Sequence, residues 1–181
     1  MANLSTARQS PPLQLPNGVR LLPPAARFTL RGRAPVMAAA GTALGLNITD
    51  AACRSTANSE RAALWMGPDE QLILVPVTDG STVAAQLREA LGSLPHSLVD
   101  VSHRQLALEV SGPTAQTLLN VGCPLDLHPS AFPIGMCTRT VLGKADIVLW
   151  RTGPDSFHVE VWRSFADYVA RFLAEAAREL A

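Results

Sequence analysis

The strongest constraint on this chain is that it nearly repeats itself. Leu64-Trp65-Met66-Gly67-Pro68-Asp69 recurs as Leu149-Trp150-Arg151-Thr152-Gly153-Pro154-Asp155, with one residue inserted. Each copy leads into a strand-length apolar run and then into a long amphipathic helical pattern. Ahead of each copy, a strand and a proline-initiated helix over Arg27–Leu44 match Gln105–Val121. An accidental match of Gly-Pro-Asp is the competing explanation, and the matching flanks favour duplication. Two such units, each covering one face of a sheet with helices, predict an α+β fold of two duplicated ferredoxin-like βαββα units. The expected organisation is a Pro-rich extended arm over residues 1–26 and a single α+β domain over 27–181. Its halves divide at about residues 27–103 and 104–181.

The local signals agree with this order. Arg27–Arg31 alternates as a half-buried strand, Pro35 suits a first helical turn, and Gly45 is placed as a left-handed cap. Ala62–Met66 and Gln71–Val75 flank Gly67-Pro68-Asp69-Glu70 as a hairpin. Val83, Leu87, Leu91 and Leu94 have helical spacing after Thr78-Asp79-Gly80-Ser81, and Ser97–Ser102 reads as a short strand. In the second half, Gln105–Val110 alternates, and Gly112-Pro113 opens a helix with Ala115, Leu118 and Leu119 inward. Arg139–Leu142, Ile147–Arg151 and Phe157–Trp162 are strands. The last helix is expected to start at Ser164, with Asp167 completing a short-armed capping box and Phe165, Val169, Phe172, Leu173, Ala176 and Leu180 buried.

Composition excludes several classes. Hydrophobic residues are 48% and charged residues 17%, with mean hydropathy +0.16, which argues for a globular chain with part of its surface hidden in a complex. Formal charge is zero overall, so steering toward nucleic acid is not expected. No apolar run is long enough to span a membrane. The first acid is Asp50, preceded by five arginines, as in an organelle transit peptide. Pro11, Pro12, Pro16, Pro23 and Pro24, however, break the amphipathic helix such a peptide needs. The arm reads as a segment lying across a neighbour or as simple disorder. Cys53, Cys123 and Cys137 form no CxxC pair, the usage of a reducing compartment, and cytoplasmic location is expected.

Catalytic signatures are weak. Asp100, Ser102 and His103 superficially resemble a hydrolase triad, but on a strand Ser102 and His103 point to opposite faces. No G-x-S-x-G, G-x-G-x-x-G or P-loop pattern occurs. Cys123 and His128, interrupted by Pro124, are the nearest approach to a metal pair, and no metal site is expected. Asp69, Glu70 and Asp155 occupy turn positions where short side chains bond the backbone. Trp150-Arg151 and Trp162-Arg163 set a large apolar surface beside a planar cation, as in interface hot spots. They read equally as buried tryptophans flanked by surface arginines. With Arg104, they are the candidate partner-contact residues.

Several blocks carry a resemblance. Asp100-Val101-Ser102-His103-Arg104-Gln105, Gly122-Cys123-Pro124-Leu125-Asp126-Leu127, Phe132-Pro133-Ile134-Gly135, Cys137-Thr138-Arg139-Thr140 and Val159–Ala166 occur in order. Together they resemble the gamma subunit of heterotetrameric sarcosine oxidase, over nearly the whole chain after the arm. The resemblance implies a complex that demethylates sarcosine to glycine with release of hydrogen peroxide, forming methylenetetrahydrofolate when tetrahydrofolate is present. It implies FAD, FMN, NAD and tetrahydrofolate in the alpha and beta subunits and zinc in delta, with none in this chain. The alpha subunit is the implied main partner. It also implies a fold like the folate-binding domain of the aminomethyltransferase T-protein of glycine cleavage.

Departures from the T-protein pattern imply the role. The acid pair expected after a glycine reads Gly143-Lys144-Ala145-Asp146, so only Asp146 survives. The asparagine-containing segment after the next strand is replaced by Trp162-Arg163-Ser164. A site without its acid pair and amide has little left for proton transfer. The leading expectation is therefore a noncatalytic assembly subunit with no catalytic or cofactor-binding residue of its own. The alternative is a folate-binding, aminomethyltransferase-like protein with a residual site around Asp146 and Arg139 or Arg151. A tRNA-modification or iron–sulfur-assembly relative is a third reading, disfavoured by the missing basic patch and reactive cysteine motif.

Overall fold

The structure is a computed structural model that describes residues 13–180. The first part of the expected arm, including Leu4, Pro11 and Pro12, lies outside the described residues. The first half runs β2 (Ala25–Gly32), α1 (Ala34–Leu44), β3 (Ser55–Ala57), β4 (Ala62–Gly67), β5 (Glu70–Pro76), α2 (Gly80–Leu91) and β6 (His96–Asp100). The second runs β7 (Gln105–Ser111), α3 (Ala115–Asn120), β8 (Cys137–Leu142), β9 (Ala145–Gly153), β10 (Ser156–Trp162) and α4 (Ala166–Glu179). A short strand, β1 (Val19–Leu21), precedes them. Each half therefore has three strands between its helices. The first-half strand β3 escapes the sequence pattern because three residues are too few to show alternation.

Two antiparallel sheets result, ordered β3-β4-β5-β2-β6 and β1-β7-β10-β9-β8. Helices α1 and α2 cover the first sheet through Val36, Ala40, Leu44, Val83 and Leu87, which pack on Phe28, Leu30, Ala63 and Ile73. Helices α3 and α4 cover the second through Leu118, Leu119, Val169 and Leu173, against Leu108, Leu149 and Val159. The opposite faces of the sheets meet each other: Ala62, Leu64, Met66, Leu72 and Leu74 pack on Cys137 and Val148. The result is four layers, helix–sheet–sheet–helix. Because β4 and β5 are covered on both sides, they read as near-continuous apolar runs rather than alternating ones. The sheet edges are joined as well, by an isolated bridge between Arg54 and Met136.

The fifth strands of the two sheets come from unlike places. β6 follows α2 and pairs with β2, the first strand of its own half. In the second sheet the same position beside β7 is filled by β1, from before the first half. The end of the expected arm is thus built into a sheet: Val19 is buried in the second core, and Ala25 and Ala26 already belong to β2.

Gly45 takes its left-handed cap at φ 66°, and Pro35 lies in the first turn of α1. Two expectations are corrected. The last helix begins at Ala166 after a 3-10 turn over Arg163–Phe165, with no side-chain cap, because the chain leaves β10 in one tight turn before the helix starts. Phe165 and Leu180 lie outside its buried stripe and are exposed.

The tip of the β8–β9 hairpin is pinned to α4 by small residues. The Gly143 amide donates to the Gly122 carbonyl at 3.0 Å, and the Lys144 amide donates to the Tyr168 hydroxyl at 3.0 Å. A Cβ on Gly122 would sit 2.5 Å from the Phe172 ring and 2.8 Å from the Gly143 nitrogen. Gly122→Ala should therefore lower unfolding free energy by about 1–3 kcal/mol, the usual cost of overpacking, measured by denaturant titration.

Candidate functional site

The sheets part at one end of their interface and leave a cleft of about 380 Å³. Thr29, Met66 and Leu72 form the wall from the first sheet, and Arg139, Asp146 and Val148 the wall from the second. Arg104, Gln105 and Trp162 close one side, and Glu70 leans in from the first hairpin. The cleft thus gathers Asp146, Arg139, Arg104 and Trp162 from among the residues singled out in the sequence.

Two of its four charged side chains are paired with each other. Arg139 is ion-paired to Glu70 and also donates to the Met66 carbonyl at 2.9 Å. Arg31 pairs with Asp69 at 3.2 Å. Asp69 and Glu70 thus bond arginines rather than the turn backbone, because the hairpin tip overhangs β2 and the cleft. Asp146 is exposed and enters no ion pair among the described residues. At the cleft mouth the Arg104 guanidinium lies 5.5 Å from the centre of the Trp162 ring, within cation–π range.

Arg151 is elsewhere. Alternation along β9 puts Asp146 and Val148 toward the other sheet, and Ile147, Leu149 and Arg151 toward the helices. Arg151 is only 2% exposed. Its guanidinium donates to the carbonyls of Leu127 (2.9 Å), Phe132 (3.0 Å), Gly153 (3.2 Å) and Pro154, and lies 5.0 Å from the Phe157 ring centre. It locks the loop between α3 and β8 and does not reach Asp146. Its neighbour Trp150 is half-buried and packs on His158 with ring centres 5.6 Å apart. The Trp150 Nε1 has no hydrogen-bond partner among the described residues.

Sequence reasoning missed the principal charged group of the inter-sheet layer. Arg27 of β2 and Glu160 of β10 form an ion pair across the two sheets, Nε to Oε2 at 2.7 Å and Nη2 to Oε1 at 3.1 Å. Glu160 is completely buried and Arg27 is 2% exposed. His158 Nε2 lies 2.8 Å from Glu160 Oε1, and Arg27 Nη1 donates to the Ala25 carbonyl at 2.8 Å. Burial alone would push the Glu160 carboxyl up. The hydrogen bonds from His158 and Arg27 outweigh it and hold the group below the ordinary glutamate value. The half-buried alternation of Arg27–Arg31 puts Arg27 on the solvent face, and nothing in the Phe157–Trp162 strand pattern singles out the His158–Glu160–Trp162 row as a buried one. The available signal was that both rows carry charge of opposite sign on otherwise apolar strands.

The triad-like cluster is not a triad. β6 ends at Asp100, and Ser102 lies in the following turn rather than on a strand. The Ser102 hydroxyl donates to Asp100 Oδ1 at 2.5 Å and accepts the Arg27 amide at 3.0 Å. The Ser102 hydroxyl and the Ser102 amide, which donates to the same Asp100 oxygen at 2.9 Å, hold the Asp100 carboxyl below its usual range. Among the described residues, no group of three or more His, Cys, Asp or Glu is placed to hold a metal. Burial pushes the Cys137 thiol up to about 12, so it is a packing residue and not a nucleophile. No helix among the described residues is long and apolar enough to cross a membrane.

Known proteins share this arrangement. A family model, the sarcosine oxidase gamma subunit family, matches residues 31–179. A sarcosine oxidase subunit gamma from Arthrobacter sp. is 38% identical over 164 residues, covering 91% of this chain and 76% of that protein. One from Corynebacterium sp. (strain P-1) is 40% identical over 120 residues, 66% of this chain and 58% of that one. Among solved structures, a chain of the heterotetrameric sarcosine oxidase of Corynebacterium sp. U-96, in complex with pyrrole 2-carboxylate, superposes with TM-score 0.84 and 28% identity. The match covers 92% of this chain and 88% of that one. The aminomethyltransferase T of the glycine cleavage system from Bartonella henselae shares the fold, with TM-score 0.67 and 13% identity over 89% of this chain and 46% of its own. The duplicated, helix-covered double sheet and the order of sequence blocks therefore have one common explanation: this chain belongs to the sarcosine oxidase gamma subunit family.

Proposed function

We propose that this chain is a noncatalytic assembly subunit of a cytoplasmic heterotetrameric sarcosine oxidase, docked mainly on the alpha subunit alongside beta and delta. In this reading the complex converts sarcosine, oxygen and tetrahydrofolate to glycine, hydrogen peroxide and methylenetetrahydrofolate. FAD, FMN, NAD, tetrahydrofolate and zinc are held by the other subunits. The observation that carries the reading is the state of the inter-sheet cleft. Arg139 is tied to Glu70, Arg151 faces the opposite side of β9, and Asp146 is left as a single exposed carboxylate. A lone solvated carboxylate has no second acid, base or amide beside it with which to share a proton-transfer step.

Co-expression with the genes of the other three subunits tests it, followed by size exclusion with flavin absorbance. This colourless chain should co-elute with a yellow, peroxide-producing complex. Saturable tetrahydrofolate binding by the isolated chain, abolished by Asp146→Ala, would instead establish a residual folate site and overturn the noncatalytic reading.

A further inference from the structure

We infer that this chain docks on its large partner through the face around Trp162, Arg104 and Arg163, and that the face receives a partner segment carrying carboxylates beside an apolar anchor. The inference rests on the assembly reading above and adds the surface and the chemistry of what covers it. Eight large hydrophobic side chains are exposed among the described residues, and five of them adjoin this face. Trp162, 47% exposed, ends β10 opposite Gln105 of β7, and Phe165, 42% exposed, follows in the 3-10 turn. Leu21 and Val77 line a shallow groove of about 310 Å³ that also contains Gln105 and Arg163. Val99 stands opposite Thr29, which lines the cleft that Trp162 closes.

The charge on this face is unspent. Arg104 and Arg163 have no carboxylate partner among the described residues, as is also true of Arg33, Arg54, Arg61, Arg88 and Arg151, but of these only Arg104 and Arg163 stand beside the exposed Trp162. The two are held side by side, since the Arg163 amide donates to the Arg104 carbonyl at 3.0 Å. Arg104 is further fixed over the Trp162 ring. An exposed tryptophan with one guanidinium over its ring and a second arginine next in the chain is the composition of an interface hot spot. It selects an acidic segment, because like charge set against it would be repelled.

The test uses the co-expressed complex with the tag on the large partner. Trp162→Ala and Arg163→Glu are each compared with Ile134→Ser, an exposed apolar position away from this face. Trp162→Ala should weaken capture of this chain at least about thirtyfold, the hot-spot range. Arg163→Glu should slow assembly and remove most of its salt dependence. Ile134→Ser should assemble as the parent chain does. Arg163 is exposed, so its variant leaves the fold intact, which a matching thermal melt would verify. Unchanged capture and salt dependence for both variants overturns the inference. So does a result in which Trp162→Ala abolishes only self-association of the isolated chain, which would assign the face to a second copy. Failure of the parent chain itself to co-purify would instead defeat the assembly reading.

Discussion

Removing either member of the Arg27–Glu160 pair should cost this protein about 3–5 kcal/mol, because the remaining charge would stay buried without its partner. Arg27→Met leaves a carboxylate that is completely buried, and Glu160→Met leaves a guanidinium that is 2% exposed. The double variant should be more stable than either single one, since desolvating both ions offsets most of their attraction. Urea titration of all three gives the coupling energy, and additive losses would show that the residues do not act as a pair. The pair also sets an acid dependence. The folded Glu160 carboxyl is held below the range in which it titrates when unfolded. Its contribution is therefore complete above about pH 4–5 and is withdrawn as pH falls through the folded value. Glu160→Gln should flatten that part of the stability–pH curve.

The second large effect belongs to Arg151. Arg151→Met should leave the Leu127 and Phe132 carbonyls without their donor inside the protein. At about 1–3 kcal/mol for each buried group left unpaired, the loss is about 4 kcal/mol. The midpoint of thermal unfolding should drop by about 10 °C. Arg151→Lys should recover only part of it, because an ammonium cannot reproduce the fork that spans several carbonyls. Differential scanning calorimetry distinguishes these outcomes. If Arg151→Met melts within a degree or two of the parent, the loop between α3 and β8 is held by its own packing. Phe132 and Leu127, both buried in the second core, would then carry it.

What the sequence made legible follows from what each strand is asked to do. The Leu-Trp-(Met/Arg) repeats, the Gly-Pro-Asp turns and the Gly45 cap are local features, and the structure places them as hairpins and a helix end. The face-to-face packing of the sheets is not local. A strand covered by a helix on one face and a second sheet on the other keeps polar residues only where a partner sits across the gap. Arg27 therefore looked like part of an ordinary wet face, and nothing local singled out His158 and Glu160. Arg151 misled in the opposite way: beside a tryptophan it read as a contact residue, yet its partners are loop carbonyls brought near by chain folding. Of the cleft, the sequence identified Asp146, Arg139, Arg104 and Trp162. It did not reveal that Glu70, from the other half, would neutralise Arg139.

The placement of β1 has a consequence for the order in which the protein is made. Val19–Leu21 leaves the ribosome before any other described strand, yet its neighbour β7 begins only at Gln105. Everything in the first sheet, β6 included, can close in the meantime, and three residues must wait outside it until the second half emerges. Pairing across so long a separation is slow to form and late to be rewarded. The two halves share one order of elements, yet the second takes its edge strand from before the first and so cannot complete its sheet without it.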